Sequence, residues 1–538
     1  MSGLRLARVL HGLAFLPPIA MGILAWVWFL PLPRLDYWDC VLGTVDTWDH
    51  GFARFLAFLW EPFVDQRMVG PKLVQLAIAQ APFESRFWIE IGFGWCMQVV
   101  SLVVLARWIG RLRGLSSVAR AGLVLAASAW LFAPALGIRF QHHWYSTQYS
   151  LAVVPLLVAT EALSSVRRPW LALAIAAPLA ALAATSHGTG CLGLPALCLV
   201  ALARRAFSAA QRVMFVATMG AIFAGIVLSL PARQGLGMPE LGAAWRDPAH
   251  FLDYFLRCLG GLVASLGIGI AVVVALGAGS IWLLRRRGLP APRSTCWIAL
   301  AFWGLCVAGA TAIHRASLGE RPGPLYFAFF SYVQIAAIVV TALVIGRRWR
   351  SAGCLLTLLC VWLQVRGFAD GMRRMRDQSA VVAVVHELLD MPRVLGDDQL
   401  LSVFPRRGFL DQRERLRELG LVPARFDSVR APRLEPADCV VSQPEASRGF
   451  VSNISLGDRA RALRIGLATK APCMVTATLL LAGQPVRVHR IECDGLGTVT
   501  FALWGAAMLN AEVGIQSQPK TKGAAAAVSI LGVEAIFP

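Results

Sequence analysis

The 538-residue chain is 57% hydrophobic and 15% charged, with a formal net charge of +20. Against roughly 25% charged residues in soluble domains, that composition excludes an ordinary soluble globular protein. Nor is the positive charge a nucleic-acid signature: the arginines fall in short clusters between apolar runs, which is how membrane orientation is encoded.

The N-terminal stretch opens with basic residues, Arg5 and Arg8, ahead of a long apolar segment. No small-x-small cleavage site follows it, so it reads as a retained signal-anchor helix. Apolar stretches then recur over the first two thirds of the chain, and hydropathy predicts about 11 spans. They are Val9–Leu30, Phe87–Ala106, Ala121–Ile138, Tyr149–Leu163, Trp170–Ala184, Cys191–Ala203, Val213–Leu230, Gly260–Leu284, Thr295–Ile313, Tyr326–Ile345 and Cys354–Val365. The expected class is an α-helical polytopic membrane protein.

Alternate connections carry arginine clusters and almost no acids. Examples are Arg107, Arg111, Arg113 and Arg120, then Arg204, Arg205 and Arg212, then Arg285, Arg286, Arg287 and Arg293. The positive-inside rule puts these and the N-terminus in the cytoplasm, and the C-terminus outside. The remaining connections face outward and hold nearly every histidine.

The first outward connection, 31–86, is long and contains "DYWD", with Asp36 and Asp39 a turn or two past the first span. A partly desolvated carboxylate at that level can serve as a general base, and Tyr37 and Trp38 can stack on a sugar ring. A solvated loop with an aromatic belt reads the same residues equally simply. Further on, "EPFVDQRMVGPK" sets Arg67 and Lys72 beside Glu61 and Asp65, a phosphate grip or a set of loop ion pairs. "RFQHHWYSTQ" brings Arg139, His142, His143, Trp144 and Tyr145 to a membrane exit, which suits carbohydrate or a plain interfacial loop. "TSHGTGCLGLP" breaks apolar sequence at His187, Gly188 and Gly190, as in the discontinuous helices that line polar cavities, or as in a tight outer turn. His314, Arg315, Glu320 and Arg321 precede the tenth span.

Beyond Phe368 the pattern changes. Two amphipathic helical stretches fill 369–430, and period-two runs such as "MVTATLLL", "VRVHRIE" and "AEVGIQ" predict an outward β-rich domain, a sandwich, over 431–538. Three domains are therefore expected: a membrane domain over 1–368, a helical linker and the β-domain. Cys439, Cys473 and Cys493 lie in the β-domain, and one disulfide among three pairings suits an oxidising compartment. The sequence has no G-x-x-x-x-G-K-[ST] element, and the inward connections are too short for a nucleotide-sugar domain.

These elements resemble a large group of bacterial polytopic membrane proteins similar to GT-C-type glycosyltransferases. That group carries D-x-W-[DE] after the first helix, matched here by Asp36, Trp38 and Asp39. It carries Glu-His-Arg some way on, matched only at Arg67, with Asp65 and Gln66 in place of Glu and His. Its mid-chain Ser-x-Gly-x-Gly is matched by Ser186, Gly188 and Gly190. Its late basic element is matched at Arg315 and Tyr326, but Leu325 stands where the family has arginine.

The resemblance implies a GT-C-like fold in the bacterial inner membrane. It implies inverting transfer of a sugar from a polyprenyl-phosphate donor to an extracytoplasmic glycan acceptor. Asp36 or Asp39 would be the base. Arg67, Lys72, Arg139, His142, His143, His187, Arg315 and Tyr326 would hold donor and substrate. A divalent cation, magnesium or manganese, is left open, and no nucleic acid is involved. The departures at Asp65, Gln66 and Leu325 bear directly on donor binding. Two other classes fit the same outer face: a lipid-linked glycan flippase, which charges deep in the spans would favour although only Glu90 and Glu161, near span ends, are found, and a non-catalytic scaffold whose β-domain binds wall polymer.

Overall fold

A computed structural model describes residues 3–27, 43–45, 47–48, 50–63, 66–112, 115–137, 143–229, 247–261, 265–287, 292–315 and 327–345. It also describes 368, 371–372, 375 and the strands between 440 and 536. Two compact units separate after Met375.

The first unit is helical. In chain order its helices are α1 Gly3–Leu13, α2 Leu16–Val27, α3 Phe52–Trp60, α4 Val69–Ala79, α5 Phe83–Gly110, α6 Ser117–Leu131 and α7 His143–Ser165. Then come α8 Pro169–Ala184, a single turn Gly188–Cys191, α9 Leu194–Ala203, α10 Ala209–Leu228, α11 Pro248–Leu259, α12 Leu266–Arg287, α13 Pro292–Arg315 and α14 Phe327–Ile345. Among the described residues five stretches are long and apolar enough to cross a membrane: Gly3–Val27, Ser85–Gly110, Ala209–Leu228, Thr295–Ile313 and Phe327–Ile345. Val69–Ala79, Ser117–Leu131, Pro169–Ala184, Gly188–Ala203 and Leu266–Trp282 are apolar but shorter. The expected span Cys354–Val365 lies outside the described residues, as does the 369–430 linker apart from Gly371, Met372 and Met375.

Over its described part, up to Val27, the first expected span, Val9–Leu30, falls on two helices, α1 and α2. The chain turns at Ala14 and Phe15, then restarts with Pro17 and Pro18 in the first turn of α2, where a missing N–H costs nothing. Other helix starts are legible in the same terms. Ser116 accepts from Ala119 N–H, Ser208 forms a reciprocal capping box with Gln211, and Asp247 accepts from His250 N–H ahead of Pro248. Ends need partners for their orphan carbonyls. At the end of α7 these come from Arg204, whose guanidinium donates to the carbonyls of Ala162, Leu163 and Val166.

α14 is buried along almost its whole length and stands inside the bundle. Polar side chains join it to its neighbours: Tyr332 hydroxyl donates to Ser101 Oγ at 3.0 Å, and Gln334 Nε2 to Leu259 O at 2.8 Å. Trp130 Nε1 donates to Gln334 Oε1. In hydrocarbon such bonds, with close packing, replace the hydrophobic effect as the force between helices. At the end of the bundle carrying the arginine connections, Glu161 on α7 accepts from Trp108 Nε1 at 2.9 Å and from Arg111 Nη1 at 2.8 Å.

The second unit contains two antiparallel sheets. One has strand order β1-β2-β7-β4-β5, formed by Val440–Ser442, Arg448–Ser455, Asn510–Pro519, Cys473–Leu481 and Gln484–Cys493. The other has order β6-β3-β8, from Leu496–Ala502, Ala462–Thr469 and Val528–Ile536. Val475 and Ala477 on β4, Val513 and Ile515 on β7, and Ile465 and Leu467 on β3 are buried at every second position. Each sheet therefore has one apolar face, as strand periodicity demands.

Candidate functional site

Among the described residues, the connection expected to face outward, 31–86, includes two short helices, α3 and α4. α3, "FARFLAFLW", buries Phe55 against Trp48, ring centroids 5.2 Å apart, and leaves Phe52, Leu56 and Trp60 exposed. A tight reversal follows, in which Phe63 and Gln66 exchange backbone hydrogen bonds of 2.9 and 3.1 Å, and α4 starts three residues later.

The reversal and α4 are sewn to the "TSHGTG" break. Gln66 Oε1 accepts Gly188 N–H at 2.9 Å, and Val69 N–H donates to Thr185 O at 2.8 Å. Between them Gly70 lies so close to the break that an added Cβ would stand 2.4 Å from Ser186 Oγ. A side chain there would have to displace the Ser186 hydroxyl and the Leu182 side chain.

The break itself is held by its own side chains. Thr185 Oγ1 and Ser186 Oγ donate back to Ala181 O and Leu182 O, at 2.8 and 2.6 Å, ending α8. His187 then takes an extended conformation, φ −166°, and caps the next turn: its Nδ1 accepts Thr189 N–H at 3.1 Å. An accepting Nδ1 leaves the ring proton on Nε2, so this is neutral imidazole. Burial holds its pKa below the usual histidine value. Gly190 passes Ala183 so closely that a Cβ would meet its carbonyl oxygen at 2.0 Å.

Around His187 stands a box of aromatic rings. Tyr149 of α7 meets it edge-on at 5.3 Å, and Phe329 of α14 lies at 5.4 Å, with Tyr149 and Phe329 4.6 Å apart. Tyr145 extends the box at 5.6 Å from Tyr149. Trp303 of α13 closes it, 6.2 Å from Phe329, with its Nε1 donating to Thr189 O at 2.9 Å. Four expected outward elements contribute here: the first connection, the start of α7, the break and the start of α14.

The residues expected at the site fare differently. Arg67 is buried, 4% exposed, with its guanidinium 5.1 Å from the Trp60 ring and one N–H donated to Ser229 O. Its Nε has no hydrogen-bond partner among the described residues, and burial lowers its pKa from the ordinary arginine value. Lys72, also buried, turns its ammonium onto Phe58 O and Glu61 O at 2.6 and 2.8 Å and over the Phe58 ring at 4.0 Å. Its charge serves to staple α3 to α4. Arg315 ends α13 and is half-buried. His143 begins α7. Asp36, Asp39, Asp65, Arg139, His142, Leu325 and Tyr326 lie outside the described residues. Among the described residues no group of three or more His, Cys, Asp or Glu side chains is placed to hold a metal ion.

Sequence reasoning missed Tyr149, Trp303 and Phe329, each inside a run read only as span. A signal for one exists: Tyr145 and Tyr149 are four residues apart and therefore on one helix face. Gln66 was noticed only as a departure from a pattern, whereas it makes the bond that closes the site.

No protein-family model, curated protein or solved structure matches the chain.

Proposed function

We propose that the chain is a membrane glycosyltransferase of GT-C-like architecture, transferring a sugar with inversion from a polyprenyl-phosphate donor to a glycan acceptor outside the bacterial inner membrane. Asp36 or Asp39 takes the proton from the acceptor hydroxyl. Arg67 and Arg315 face the charge developing on the departing phosphate, since fixed cations are most effective where charge appears. The two sheets of the second unit pack as an extracytoplasmic sandwich that presents the acceptor.

The supporting observation is the docking of the first outward connection onto the break at His187, beside the box of Tyr145, Tyr149, Trp303 and Phe329. The rings are themselves core, Phe329 wholly buried and Tyr149 and Trp303 each 3% exposed, so in this reading they fix the break beside which the sugar binds rather than stack on it. Lys72 takes no part in donor binding in this reading, because its ammonium is already engaged by two carbonyls.

The test is separate replacement of Asp36 and Asp39 by asparagine, with surface polysaccharide measured by mass spectrometry and protein level followed in parallel. Loss of a glycan in one variant at normal protein level supports the base. Unchanged glycan in both removes it.

A lipid-linked glycan flippase is the second reading, and one observation favours it: Glu90 on α5 is wholly buried inside the bundle. Intramembrane carboxyls are characteristic of transport pathways. Flipping assayed in proteoliposomes with a labelled lipid-linked glycan, and no acceptor present, separates the two.

A further inference from the structure

Glu90 lies two turns into α5 and exposes none of its surface. Gln75 of α4 and Thr147 of α7 are buried against it, and both donate to the same oxygen: Gln75 Nε2 and Thr147 Oγ1, the latter at 3.2 Å, to Glu90 Oε1. The other carboxyl oxygen, Oε2, has no partner among the described residues, and neither has the amide oxygen of Gln75, Oε1. Two acceptors of one hydrogen-bonded pair are thus left over, and both are buried.

The neighbouring charges are committed elsewhere. On α4, Lys72 donates to Phe58 O and Glu61 O. On α5, Arg86 donates to Ala81 O, while Arg107 and, just past the helix, Arg111 pair with Glu161 of α7. On α3, Arg54 is exposed, and on α6 Arg120 donates to Gly110 O. α2 and α8, packed on the same helices, carry no titratable residue. Tyr145 and Tyr149 of α7 lie in the aromatic box, and His143 stands one turn ahead of Thr147. No cation is paired with Glu90 among the described residues.

We propose that Glu90 is a proton-binding site, carrying its proton on Oε2 and donating it to Gln75 Oε1, so that the two side chains form a cyclic carboxylic acid–amide pair. One proton satisfies both leftover oxygens. It makes Oε2 a donor, leaves Oε1 accepting from Gln75 Nε2 and Thr147, and removes a charge that nothing nearby balances. Buried polar groups are rarely left unpaired, and a buried carboxylate without a partner cation takes up a proton instead. Because Gln75 sits on α4, the helix that follows Arg67, the proton latches the first outward connection to α5 and α7. The ionised carboxylate offers Gln75 Oε1 only repulsion, so loss of the proton loosens α4. The inference is independent of which chemistry the outer face performs.

Infrared difference spectra of the purified full-length protein in detergent at neutral pH, wild type minus Glu90→Gln, read the state directly. The expected result is loss of a protonated carboxylic acid C=O band that shifts in heavy water. Loss of a carboxylate band pair instead, whether or not it depends on sodium, overturns the proposal. Glu90→Gln preserves the cyclic pair as an amide–amide pair, so its melting temperature is expected at the wild-type value. If that variant does not accumulate, Gln75→Leu supplies the reading: the acid band remains and moves to higher frequency as its acceptor is lost. An unmoved band in Gln75→Leu overturns the pairing.

Discussion

The side-chain carbonyl of Gln66 accepts the backbone N–H of Gly188 at 2.9 Å, tying together stretches of chain 122 residues apart. With Val69 N–H on Thr185 O, it ties the start of α4 to the end of α8. Gln66→Ala removes one partly exposed bond and is expected to cost about 1 kcal/mol. Gly70→Ala drives a methyl against Ser186 Oγ and Leu182 and is expected to cost about 1–3 kcal/mol. Thermal melting in detergent checks both. Equal melting of wild type and Gly70→Ala would mean that the Ser186 hydroxyl and Leu182 move aside at no cost.

Two glycine positions give a matched contrast. Gly190 has no room for a side chain, since a Cβ would meet Ala183 O at 2.0 Å, so Gly190→Ala is expected to lose at least about 3 kcal/mol. Gly220, inside α10, has nothing within 4 Å of the same position. Gly220→Ala should be neutral or stabilising by up to about 1 kcal/mol, from helix propensity alone. Yield of folded protein and melting temperature report both, and the contrast would vanish if the break were loosely packed.

His187 predicts a pH dependence. Its folded pKa lies below the unfolded value of about 6.5, so the unfolded chain binds the extra proton on acidification. Stability is complete above that value and is lost as pH falls below it, by at most about 1.4 kcal/mol per pH unit for one proton. His187→Asn should flatten this part of a melting-temperature profile against pH. An unchanged acid limb in the variant would assign the loss to other groups.

Replacing Asp36 or Asp39 by asparagine should lower glycan transfer by at least about 100-fold in whichever variant removes the base, the lower end of what general-base catalysis contributes. Both variants should melt as the wild type does. Turnover by purified protein with a polyprenyl-phosphate sugar separates this from a folding defect.

In the second unit the register places Cys473 directly opposite Cys493. Opposite residues in antiparallel strands have Cα atoms about 4.5–5.5 Å apart, within the range a disulfide spans. Of the three pairings open to Cys439, Cys473 and Cys493, this one is expected if the unit faces an oxidising compartment. Non-reducing peptide mapping of protein purified from membranes reads it, and two free thiols there would argue for a cytoplasmic location.

Hydropathy located helices well wherever composition alone decides. Thr295–Ile313 coincides with its expected span, and α14 begins one residue after its own. Period-two runs likewise located β4 through β8, because alternation is what a half-buried strand requires. β1, β2 and β3 went unpredicted; in β2, "GFVSNIS" mixes polar and apolar residues without alternation and the strand is set by pairing with β7, whereas β3 does alternate, at Leu463, Ile465 and Leu467. At the site, histidine, glycine and arginine were legible because they are out of place in apolar sequence. Tyr149, Trp303 and Phe329 were not, since an aromatic residue inside a span reads as lipid-facing or core until the helices are packed. Lys72, a cation expected to meet ligand, bonds the backbone carbonyls of Phe58 and Glu61, a partnership that only the packing of α3 on α4 reveals.

The burial of α14 constrains how the molecule is made. The helix at the centre of the bundle is the last of its described helices to leave the ribosome, yet Ser101, Trp130 and the Leu259 carbonyl all find hydrogen-bond partners on it. Until Phe327–Ile345 enters the bilayer, those groups face lipid, water or an insertion chaperone. Nascent chains stalled before Phe327 should therefore be unstable intermediates that quality-control proteases remove, and the protein becomes durable only when its keystone is threaded in.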